Sequence, residues 1–118
     1  EAARDPGTAQ ERLHRVMRAA GQWLEAHPEP ARQMARTRAF TLADLGSPSQ
    51  QRLQASLAEI LTAGQRRGEL REVPVADAVT ALQCGYFACV LTWAADPGGR
   101  PLTDRLRASL DITLNGLA

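Results

Sequence analysis

Few residues in this 118-residue sequence have the type and spacing to do chemistry. Its two histidines, His14 and His27, stand too far apart for a helical metal site of the H-x3-H kind. His27 precedes a proline and reads as a solvated helix end, and His14 as a partly exposed surface residue beside an apolar stripe. Cys84 and Cys89 lie five apart in an apolar run. At about 100° per residue they point in different directions, so they neither bridge each other nor share a metal. They read as buried, reduced thiols, which suits the cytoplasm. No G-x-S-x-G, P-loop, acidic dyad within one helix or Cys–His pairing occurs. The expectation is a non-enzyme without metal or cofactor.

What remains is recognition of an apolar molecule. Ligand cavities are mostly apolar with a few placed polar groups. The bulky side chains include Met17, Trp23, Met34, Phe40, Leu57, Leu61, Tyr86, Phe87 and Trp93, set among many alanines. Gln83 is the unusual polar residue, midway along an apolar run, where its amide either meets a ligand carbonyl or bonds a neighbouring backbone group. The Tyr86 hydroxyl is the other polar anchor. Taken singly, each reads as core packing. As a set they predict a pocket among the first four helices, lined by Met17, Trp23, Met34, Leu57, Leu61, Gln83, Tyr86 and Phe87. No basic pair converges there to hold an acid, so the expected ligand is apolar or weakly polar, aromatic or polycyclic.

Composition says which elements position these groups. Apolar residues at 44% and charged ones at 23% describe an ordinary globular chain, read as a single domain over residues 1–118. Aromatics at 4% with abundant Ala and Leu favour helices over sheet. All 14 basic residues are arginine, a composition effect, and a net charge of +1 gives no field for nucleic acid. The first helix is expected over about Ala9 to Ala26, ended by His27-Pro28. The second runs from about Glu29 to Ala43, with Pro30 in its first turn. Ser47-Pro48-Ser49-Gln50 predicts a capping box at the start of the third, which stops at Gly68. Arg66 and Arg67 complement its C-terminal dipole. The fifth, about Leu102 to Leu117, carries one stripe of Leu102, Leu106, Leu110, Leu114 and Leu117.

The fourth helix, Val75 to Ala95, has no polar face. A helix apolar all round must be covered all round. A membrane span is the rival reading, at about the right length. Gln83 at its centre, flanking Asp77 and Asp96, and amphipathic neighbours that need something to pack on all weigh against it. A second copy of the chain is the expected cover. Small residues at Ala81, Gly85, Ala88 and Thr92, with the ridge of Leu106, Leu110 and Leu114, predict that the last two helices form an intersubunit four-helix bundle. The fold class is therefore all-α, a five-helix bundle dimerising through its last two helices.

From Leu57-x-x-Ile60-Leu61-x-x-Gly64-x-x-x-Gly68-Glu69-Leu70, through Asp77-Ala78 opening an apolar helix that ends Leu91-x-Trp93, to an amphipathic helix over Pro101 to Leu117, the sequence resembles the regulatory domain of tetracycline-repressor-type (TetR family) transcription factors. The resemblance is closest over residues 48–118, and over 9–45 it rests on helix count and order. It implies an effector-binding and dimerisation domain whose small-molecule ligand changes DNA binding by an N-terminal helix-turn-helix domain. No such segment is recognisable here, and the opening Glu1-Ala2-Ala3 without an initiator methionine reads as a fragment. DNA is thus an expected partner only through a longer parent chain. The competing expectation is a helical interaction or dimerisation module with no small ligand.

Overall fold

The computed structural model describes residues 7–37, 47–96 and 98–117. Five helices account for nearly all of them, and no strand occurs among the described residues: α1 (Ala9–Ala26), α2 (Glu29–Thr37), α3 (Pro48–Arg66), α4 (Val75–Ala95) and α5 (Leu102–Leu117). The expected extension of the second helix to Ala43, and the expected pocket residue Phe40, lie outside the described residues.

Local chemistry sets the ends. Thr8 accepts from the Glu11 backbone at 3.2 Å while the Glu11 carboxylate accepts from the Thr8 backbone at 2.9 Å, a complete capping box on α1. The capping box expected at Ser47 is, by contrast, half-formed. Ser47 accepts from the Gln50 backbone at 3.3 Å, but the Gln50 side chain turns toward α4 instead of back to the cap. Gly68 closes α3 with φ +73°, the left-handed conformation that a glycine reaches without strain.

α1, α3, α4 and α5 close a ring around one core, each touching its neighbours, and α2 packs on α4. The core is aliphatic, with Leu13, Leu57, Ile60, Leu61 and Leu102 its most completely buried large side chains. Two glycines set the helix spacing. A Cβ on Gly64 would stand 2.7 Å from the Ala9 Cβ, so α1 and α3 meet there in near backbone contact. A Cβ on Gly21 would stand 2.9 Å from Leu106 Cδ1, which lets α5 lie against α1.

That second contact corrects the expectation for the fifth helix. Leu106, Leu110 and Leu114 are 3%, 3% and 5% exposed within the single chain, so the ridge packs on α1 and α4 rather than standing open for a second copy. α1 is what covers it. The chain needs α5's apolar stripe to close its own ring.

Candidate ligand site and subunit surface

The first turns of α3 place Gln50 and Gln54 one helical turn apart on the face toward α4, where Gln83 and Tyr86 stand three residues apart. Gln54 Nε2 donates to Gln83 Oε1 at 3.1 Å, and Gln83 Nε2 donates to Gln50 Oε1 at 3.4 Å. Gln83 is only 6% exposed, so its amide depends on these partners rather than on water. Burial pushes the Tyr86 phenol above its ordinary range, and a hydrogen bond with Gln50 opposes that shift. Three amides and a neutral phenol thus converge where α3 meets α4. They offer donors and acceptors but no charge near neutral pH, so the cluster suits a carbonyl or hydroxyl group. An ion placed there would be buried without a counter-charge.

The expected lining residues only partly assemble. Gln83 and Tyr86 join the cluster, and Phe87 sits edge-on to Tyr86 with ring centroids 5.5 Å apart. Leu57 and Leu61 are sealed into the core. Met17 and Tyr86 line a cavity of about 10 Å³ with Leu82, Leu106 and Leu110, on the α5 side of α4. That volume holds about one water. Met34 is half-buried on α2. Trp23 is 56% exposed and stacks on His27 with centroids 4.4 Å apart, which takes it out of any interior lining. An aromatic at the last turn of α1 finds its partner locally because the core face there belongs to Gly21 and Leu24. Gln50 and Gln54 were missed; their four-residue spacing at the start of α3 was the available signal.

The other expectation for α4 concerns its outer side. Only 39% of its most apolar 18-residue window is buried. By length and composition the helix could cross a membrane, though α2, α3 and α5 all pack on it. Ala81, Ala88 and Thr92 are exposed, while Gly85 turns toward α5, where an added Cβ would meet Ser109 Oγ at 2.9 Å. Ile112, one turn beyond Ser109 on the outward side, is 75% exposed. By helical spacing half-buried Ala108 shares that side, as do Arg105 and Asn115, so α5 adds two apolar side chains within a mixed surface beside the small residues of α4. Both cysteines are free; Cys84 lies exposed on α4, contrary to the expected burial, and half-buried Cys89 donates to the Arg105 carbonyl at 3.6 Å. His14 is bonded to Asp111 at 2.9 Å and so ties α1 to α5. Among the described residues no three His, Cys, Asp or Glu side chains gather into a metal-binding group.

No family model matches this chain, nor does any curated protein or solved structure.

Proposed function

We propose that the chain is the effector-binding and dimerisation domain of a tetracycline-repressor-type transcriptional regulator. On this reading it works in the cytoplasm without catalysis, and reaches DNA only through a helix-turn-helix domain of a longer parent chain. The observation that carries the reading is the uncovered face of α4, apolar and lined with small side chains, continued by Ile112 on α5. Small residues allow two such helix pairs to approach closely across a two-fold axis. A standard interface asks each copy for roughly 800 Å². The seam is then Ala81, Ala88, Thr92, Ala108 and Ile112, with Gly85 at its edge.

The effector site in this reading is the glutamine–tyrosine cluster. It joins α3 to α4, and α4 carries the seam on its far side. A ligand that replaces the Gln83 hydrogen bonds changes how α3 sits on the seam helix. Such a ligand shifts the dimer only if it binds one arrangement better than the other. A coupling of about 1–3 kcal/mol is typical and would alter operator affinity severalfold to a hundredfold. Because the cluster is neutral, the effector is uncharged, with an aromatic or aliphatic body and one carbonyl or hydroxyl.

The sealed packing of Leu57 and Leu61 favours a second reading, a dimerisation module with no small ligand. Two measurements on one sample separate them. Light scattering at micromolar concentration is expected to give the mass of two chains, and a one-chain mass contradicts both readings. Titration with uncharged aromatic ketones and alcohols, followed through tryptophan fluorescence, is expected to show saturable quenching. A dimer that quenches with none of them leaves the second reading standing.

A further inference from the structure

We infer that the groove between α1 and α5 is a separate binding site for a small amphipathic carboxylate. Its volume is about 330 Å³, at the small end of the range that ligand sites occupy. Met17 and Leu106, both almost fully buried, supply its apolar floor. The rim is polar and unequally matched. Asp111 is held by His14 Nε2 at 2.9 Å, and Asp104 stands 3.7 Å from Arg107. Arg18 and Gln22 line the same groove, and Arg18 has no carboxylate partner among the described residues. Asp104 has Arg107 and Asp111 has the His14 imidazole as its partner, so Arg18 is the guanidinium of this rim without an acid beside it.

A guanidinium beside an apolar floor selects a carboxylate on a short hydrocarbon or ring. The head group takes two parallel N–H bonds from Arg18, a pairing stronger than one between neutral groups. The Gln22 amide is available as a further donor, and the tail covers Met17 and Leu106. The groove lies between α1 and α5, with Ile112 about 100° round the helix from Asp111 at its rim. It is distinct in chemistry from the neutral cluster at Gln83, and the inference does not rest on that cluster being a site.

Octanoate and octan-1-ol, which share a chain and differ in charge, are the probes. Calorimetric titration at low salt is expected to show octanoate binding to the wild-type protein. Arg18→Gln should weaken it by roughly 2- to 5-fold, the loss expected for an ion pair made by an exposed arginine. Octan-1-ol should bind Arg18→Gln and wild type alike. Arg71→Gln, which removes an exposed arginine away from the groove, should leave octanoate binding unchanged. Arg18 is exposed, so its variant should fold, which circular dichroism checks. The inference is overturned if wild type does not bind octanoate, if Arg18→Gln binds it as tightly, or if Arg71→Gln weakens it equally.

Discussion

Replacing Gln83 by leucine separates a ligand-binding amide from a structural one. The change removes two hydrogen bonds, one of 3.1 Å from Gln54 and one of 3.4 Å to Gln50. The shorter is worth about 1 kcal/mol net, and the longer less, since it lies beyond the usual range for N–H···O bonds. Neither glutamine is stranded: Gln50 keeps its bond with Tyr86, Gln54 keeps other contacts, and both are only half-buried. Leucine at a position 6% exposed returns about 1 kcal/mol through apolar burial. The net cost should be about 0–1 kcal/mol, a fall in melting temperature of a few degrees for a chain of this size. Ligand affinity should fall far more, because the best-buried donor of the cluster is gone. Thermal melts with and without an uncharged aromatic ketone read both quantities. A loss above about 3 kcal/mol in the ligand-free protein would refute the reasoning, since a hydrogen-bond change of this kind cannot supply it.

Tyr86 is the single tyrosine of the chain, so its ionisation can be followed by ultraviolet absorbance. Burial raises its pKa above the ordinary 10.0, so the fold holds the phenolic proton more tightly than the unfolded chain. That contribution to stability is complete below the ordinary value and is lost as pH rises from there to the raised one. Tyr86→Phe should therefore lose less stability than wild type above about pH 10, and equal slopes would contradict the burial. Leu110→Ala should cost about 2–5 kcal/mol by chemical denaturation while the folded protein keeps its two-chain mass, because this leucine packs inside the chain. A stable one-chain Leu110→Ala would put the leucine ridge back at the seam.

The helices were legible in the sequence because their ends are written in local chemistry. Pro28, Pro48 and Gly68 impose backbone conformations that hold whatever packs nearby. The assignment of faces to partners was not local. The leucine stripe of α5 announces burial but not what buries it, and α1 presents an equally good apolar face. Gly21, interior to α1 and costly there by about 1 kcal/mol against alanine, was the sign that α5 comes close. Trp23 reads as an inward residue on size, yet its position in the last turn next to His27 lets the ring stack outside. Gln83 and Tyr86 stood out as polar groups in an apolar helix. Their partners on α3 did not: Gln50 reads first as the capping-box residue, and Gln54 as an ordinary polar position of the helix.

The claim that α4 and α5 form the subunit seam is tested most directly at Ala88. Its side chain is exposed in the single chain, so an arginine there is solvated and keeps helix propensity, and the monomer fold should be unaffected. Across a two-fold seam the same arginine would bury a charge against its copy, at a cost of several kcal/mol. Sedimentation velocity over a concentration series is expected to show two chains for wild type and one for Ala88→Arg, with matching circular dichroism spectra. A wild type that sediments as one chain at micromolar concentration, or an Ala88→Arg that stays at two, would contradict the account.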